Sequence, residues 1–255
     1  MTPEFLKSFS SDLLKYQKDF IKITAKPKDY SPLRDQLGKK KSKFLGIPFF
    51  PLNKKYPKDD NGTPMIMAAQ INFEEIPFLE FFPDSGILQL FLSQNDWYEG
   101  DVEIVYHSKK ELQNESISDF SFLKTEDFDE MPIFKVHELL FEKSIDYGGS
   151  EDCQFDFSFN NLDYWSFSET LDDEEQKELN SYFNASGHKI GGYAEFTQSD
   201  PRDYDDNSHE DIQVLQIDID EHIMFGDTGL AHVFISQESL KNKDFSKAYF
   251  YWDCA

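Results

Sequence analysis

Apolar and polar positions change period along this chain. In residues 3–23, Leu6, Phe9, Leu13, Tyr16 and Phe20 recur at helical spacing and predict an amphipathic helix. Thr2 can cap it and Pro3 suits its first turn. Ser31-Pro32 with Leu33, Leu37 and Gly38 predicts a short second helix with a glycine stop. From Phe44 the pattern turns to strands, with apolar runs at 44–50, 65–73 and 87–92 and alternation at 102–107. Residues 111–131 are polar and acidic and mark a boundary. Another strand is expected at 133–141. A helix is expected at 171–183, where Asp172, Asp173, Glu174 and Glu175 suit the first turn. Strands are expected again at 189–197, 214–219, 229–235 and 248–252.

The pattern repeats itself. Gly86-Ile87-Leu88-Gln89-Leu90-Phe91-Leu92-Ser93-Gln94 returns as Gly229-Leu230-Ala231-His232-Val233-Phe234-Ile235-Ser236-Gln237. Lys43-Phe44-Leu45-Gly46 returns as Lys189-Ile190-Gly191-Gly192, and Gln70-Ile71-Asn72 as Gln216-Ile217-Asp218. A near-constant offset points to an internal duplication, with copies at about 41–107 and 187–250. The expected fold is therefore α+β. Internally duplicated, mostly antiparallel β-sheets form two related lobes sharing a core, with an N-terminal amphipathic helix and a second helix near 171–183. Residues 1–255 make a single domain. A pseudo-two-fold axis between the copies would relate the strands carrying Gln70 and Gln216.

Several motifs in order carry a family resemblance. They are Lys189 to Tyr193, Gln198 with Asp200-Pro201-Arg202, Leu215 to Asp218, Met224 to Asp227 and the tail Asp244 to Cys254. Pro64-Met65, Ala69 to Phe73, Ile76-Pro77 and Gly86 to Gln89 match the same pattern in the first half. Together they resemble the YwqG-like family of bacterial proteins, a domain of unknown function, from about Lys41 onward. Phe225 and Ala194 stand where that family often carries Trp and Pro. The resemblance implies a compact fold of mostly antiparallel sheet and no assigned reaction. Some members look to be encoded near secreted toxins, which implies an immunity or partner-binding role.

Composition narrows the function classes. Aromatic residues reach 16 %, with 26 Phe, which excludes disorder. The chain carries 25 basic and 49 acidic residues, a net charge of −24. Lys39, Lys40, Lys41 and Lys43 are the only dense basic run, so neither nucleic acid nor an anionic membrane is an expected partner. A cationic protein or a divalent metal suits that charge. Cys153 and Cys254 make no disulfide framework. No apolar run approaches about 20 residues, and the start lacks a leader pattern, so a cytoplasmic monomer is expected.

Candidate chemistry gathers between Asp200 and His232. Asp200, Asp203, Asp205, Asp206, His209, Glu210 and Asp211 crowd one segment, followed by Asp218, Asp220, Glu221, His222, Asp227 and His232. Carboxylate and imidazole suit Mn, Zn or Ca, yet no ligand-spacing motif is present. Strand alternation puts Gln216, Asp218 and Asp220 on one face. Arg202 offers a planar fork to a carboxylate or phosphate, against which stands pairing to the neighbouring acids. The candidate ligand or metal residues are thus Asp200, Arg202, His209, Gln216, Asp218, Asp220, Asp227 and His232. No nucleophile elbow or phosphate loop occurs. His107, His137 and His188 stand alone. Phe155, Phe157, Phe159, Trp165 and Phe167 read as core or as a groove lining. The leading expectation is a non-enzymatic, acidic protein-binding module. The alternative is a metal-dependent enzyme or small-ligand binder at 200–232.

Overall fold

The computed structural model describes residues 2–204 and 208–255. Its frame is one ten-stranded antiparallel sheet. The strands are β1 (Lys18–Lys28), β2 (Lys43–Phe44), β3 (Ile66–Asn72), β4 (Ile87–Leu92), β5 (Val102–His107), β6 (Val136–Asp146), β7 (Lys189–Gly191), β8 (Ile212–Ile217), β9 (Leu230–Ile235) and β10 (Tyr249–Asp253). They lie in the order β10-β9-β8-β7-β1-β6-β2-β3-β4-β5. The expected pair of lobes is therefore wrong. Both halves hydrogen-bond into a continuous sheet through the long β1–β6 ladder, Lys18 opposite Asp146 to Lys28 opposite Val136.

The sheet curls into a nearly closed barrel because the two ends share apolar surface. Ile71, Leu88 and Leu90 of one end and Leu215, Val233 and Ile235 of the other join one core cluster. The ends meet through rings. Tyr106 on β5 stacks on Phe245, centroids 4.8 Å apart, and Trp97 packs on Trp252 at 5.2 Å. Every residue of β3, β4 and β9 is buried, which fits their near-continuous apolar sequences.

Helices are minor. The expected N-terminal helix over 3–23 gives way to 3₁₀ turns around α1 (Ser10–Leu13), and β1 takes the remainder. Residues 32–34 form only a 3₁₀ turn. The helix expected at 171–183 is present as α3 (Asp173–Tyr182), where Asp172 accepts from the amides of Glu174 and Glu175. With α2 (Tyr164–Ser168), α3 covers a second, aromatic cluster of Leu6, Leu13, Phe155, Phe157, Phe159, Phe167 and Phe183. Those phenylalanines are core, while Trp165 is 55 % exposed. The last helix is α4 (Gln237–Lys241). No helix among the described residues is long and apolar enough to cross a membrane.

Two buried glutamines hold equivalent places. Gln70 on β3 donates to the carbonyls of Lys39 (2.8 Å) and Lys41 (2.7 Å) and accepts from the Phe49 amide (2.9 Å). Gln216 on β8 donates to Ala185 (3.1 Å) and Gly187 (2.9 Å) and accepts from the Glu195 amide (3.0 Å). Each β-ladder also carries a bulge, between Met67 and Ala69 in one and Gln213 and Leu215 in the other.

Candidate functional site

Of the sequence-predicted residues, most serve the scaffold. Arg202, 1 % exposed, bonds Asp200 through Nε (2.9 Å) and Nη2 (2.6 Å), reaches Asp152 at 2.9 Å and donates to the Asp211 carbonyl. Its guanidinium also lies 4.6 Å over the Phe234 ring. Burial alone would raise the Asp200 carboxyl, but the Arg202 bonds hold it below its ordinary value. Asp152, Cys153 and Asp200 bring ligand atoms within 4.8 Å of one another. The Arg202 cation already pairs with both of its carboxylates, and burial pushes the Cys153 thiol up, away from the thiolate a metal needs.

The other predicted residues do not form one site. Gln216 supports backbone, as described. Asp218 accepts the Gly187 and Ile219 amides. His232 is 1 % exposed, with Nδ1 3.0 Å from Gln213 Oε1. Burial drops its pKa to about 3. His209 is half-exposed beside Glu210, and Asp227 is exposed. Asp205 and Asp206 lie outside the described residues. Asp220 meets two histidines: His188 Nε2 at 3.4 Å and His137 Nε2 at 3.9 Å.

An open cleft of about 590 Å³ lies elsewhere, where β7 leaves the sheet. β7 pairs with β8 at only one position, Lys189 opposite Gln216. Gly191 (φ 71°) and Gly192 (φ 75°) then turn the chain away in left-handed conformations that a side chain resists. A Cβ on Gly192 would stand 2.1 Å from Asp146 Oδ2. Gln213 bridges the gap by donating to the Gly191 and Tyr193 carbonyls. Lys18 forms part of the wall, donating to Gln154 Oε1 at 2.5 Å with its amine 4.0 Å over the Tyr193 ring. Burial pulls its pKa down. Leu79, Phe81 and Phe82 supply an apolar wall, and exposed Asp19, Glu80 and Glu210 supply an acidic rim. Phe81 holds φ 70°, an unfavourable state for a bulky residue, which marks this loop as constrained.

The opposite end of the sheet shows why this cleft is open. There the loop holding His222 and Met224 is zipped to the segment ahead of β6. Phe134 N donates to His222 O (2.8 Å) and Met224 N to Pro132 O (2.9 Å). Among the described residues, loop 76–82 makes no such backbone bond to the segment ahead of β1.

The family described as Domain of unknown function (DUF1963) matches residues 42–254. The chain belongs to the DUF1963 family. The match spans β2 to β10, whereas β1 with Lys18 precedes it. No curated protein matches the chain.

Beneath this DUF1963 frame lie two buried ion pairs that sequence reasoning missed. Lys189 donates to Asp146 at 2.7 Å, and Lys43 to Asp35. Burial drives the Lys189 amine down and the Asp146 carboxyl up, while each partner pulls the other back. Both lysines open the repeated Lys-x-x-Gly blocks, Lys43 to Gly46 and Lys189 to Gly192, and lysine inside an otherwise apolar strand was the available signal.

Proposed function

We propose that this DUF1963 protein is a non-enzymatic cytoplasmic binding module, YwqG-like and internally duplicated, whose acidic surface receives a cationic protein partner. The observation that carries this reading is the open cleft, with its aromatic wall and its rim of Asp19, Glu80 and Glu210, on a chain of net charge −24. The stem of a lysine or arginine can lie on Phe81 and Phe82 with its head at that rim. Attraction of this kind raises association rates and weakens with salt. Lys241, 4.1 Å over the Phe81 ring, already makes one such contact.

Support for a binding role also comes from where the polar residues are used. Asp200, Arg202, Gln216, Asp218 and His232 are engaged in the scaffold. Support for duplication comes from Gln70 and Gln216, whose three backbone partners are each displaced by the same 146 positions. A monomer that binds neither nucleic acid nor membrane is part of the proposal, as is an immunity-like role.

The test is capture from native lysate at low and high salt, then binding of the purified partner. Asp19→Lys/Glu80→Lys/Glu210→Lys is compared with Glu115→Lys/Glu126→Lys/Glu130→Lys outside the cleft. A basic partner lost at high salt, and weakened at least tenfold by the cleft variant alone, supports the reading. Equal weakening by both variants overturns the cleft assignment, and recovery of no partner at either salt overturns the binding role.

A further inference from the structure

The cleft where β7 leaves the sheet already seats one cation of this chain. Lys241, at the end of α4, places its amine 4.1 Å over the Phe81 ring and donates to Gln237 Oε1 at 2.9 Å. Phe81 and Gln237 both line the cleft. The loop that presents the ring is held in place. Phe82 N donates to Leu79 O at 3.2 Å, closing a turn around Glu80 and Phe81, and both phenylalanines pack on the main core cluster. At the far end of the loop, Asp84 lies 3.7 Å from the Lys243 amine. Phe81 is thus a positioned cation acceptor, an observation separate from the net charge.

The charged groups around the ring favour a further cation. Glu80 and Glu210 are exposed carboxylates at the rim, with His209 Nδ1 3.9 Å from Glu210. Asp19 pairs with Lys143 at 2.8 Å, an exposed contact that contributes little and exchanges easily. Lys18 is the lysine of the wall, and its amine is turned to Gln154 and the Tyr193 ring. The floor is main chain. A Cβ on Gly191 would stand 2.8 Å from Leu79 Cδ2 and 3.7 Å from both the Asp19 carbonyl oxygen and the Phe82 ring. Glycine there lets an apolar wall and a backbone acceptor come together.

Resting on the partner-binding reading above, we propose that the cleft is a subsite for one arginine side chain of the protein partner. Its guanidinium stacks on the wall of Phe81 and Phe82 and turns its N–H groups to Glu80, Glu210 and Asp19. Arginine suits this lining better than lysine does. The guanidinium is planar and stacks on an aromatic face, whereas an ammonium is a compact point charge. It is also more weakly hydrated, so bringing it against Leu79, Phe81 and Phe82 costs less. Its five donors, spread over a fork, reach acceptors on both sides of the cleft at once, while the three of an ammonium radiate from one atom. Lys241 is then the resident competitor for the Phe81 ring, and its removal favours the incoming arginine.

The experiment titrates the full chain at low salt with Nα-acetyl-L-arginine amide and with its lysine and citrulline analogues, followed by NMR shifts of the backbone amides. The expected result is saturable binding of the arginine compound at residues 79–82, 191–192 and 210–213. It should be at least threefold tighter than the lysine compound, with no saturable binding of uncharged citrulline. Glu80→Gln/Glu210→Gln should weaken arginine binding at least fivefold and Lys241→Met should strengthen it at least twofold, with far-UV circular dichroism unchanged. Equal binding of the arginine and lysine compounds overturns the proposal. Absence of saturable arginine binding overturns it too, as does binding that Glu80→Gln/Glu210→Gln leaves unchanged. These failures are distinct from failure of the partner-binding reading. A captured partner that Asp19→Lys/Glu80→Lys/Glu210→Lys weakens, on a cleft that takes no arginine, rejects the arginine subsite alone.

Discussion

Acid should act on this protein through His232. The ring is 1 % exposed on β9, packed against Phe196 (4.7 Å) and stacked on Phe234 (5.3 Å). Burial is the first cause of its low pKa, about 3, and the Arg202 charge is the second. The unfolded chain takes up the proton at about 6.5. The folded pKa is depressed, so the contribution to stability is whole above about 6.5 and falls as pH falls below it. At pH 5 the unfolded ring is almost fully protonated and the folded ring is not, which costs about 2 kcal/mol relative to pH 7.5. The figure holds for any folded pKa below about 4. Other groups titrate over the same range, some with the opposite sign. Glu195, which burial lifts to about 7, gains stability as it protonates. A comparison with His232→Gln removes those common terms, because glutamine keeps a donor for Gln213 and does not titrate. Urea unfolding of both proteins at pH 7.5 and 5.0 should show the wild type losing about 2 kcal/mol more than the variant. Equal losses, within about 0.5 kcal/mol, would refute the reasoning whatever the variant does to absolute stability.

Two further outcomes follow from buried groups. Lys189→Met strands Asp146 without its cation and should cost about 3–5 kcal/mol by thermal or urea unfolding, part of it recovered in Lys189→Met/Asp146→Asn. A cost below 1 kcal/mol would show that the ion pair does not hold β7 to β6's end. Gly192→Ala forces a side chain into φ 75° and against the Asp146 carboxylate, and should cost at least about 2 kcal/mol. An alanine variant as stable as wild type would contradict that backbone geometry.

Local pattern made β3, β4, β5, β8 and β9 legible, because each is an apolar or alternating run bounded by turns. It failed at β1. Leu6, Phe9, Leu13 and Tyr16 keep helical spacing, and Phe20 happens to extend it, yet Phe20 to Ala25 also alternates as a half-buried strand. The ladder with β6 decides between the two. Two lobes were expected from the repeat for a related reason: periodicity reports each strand's faces but not which distant strand it pairs with. At the site, Arg202's pairing to neighbouring acids was foreseeable from their proximity. The meeting of His137 and His188 with Asp220 was not, since each histidine is isolated in sequence.

The crossing of the central strands constrains how the molecule can come apart. β1 precedes one meander of strands but hydrogen-bonds β7 of the other, and β6 precedes the second but hydrogen-bonds β2 of the first. The halves are interlocked, each completing its neighbour's edge with a strand from its own start. Cutting the chain after β5 would therefore leave each fragment with an unsatisfied edge.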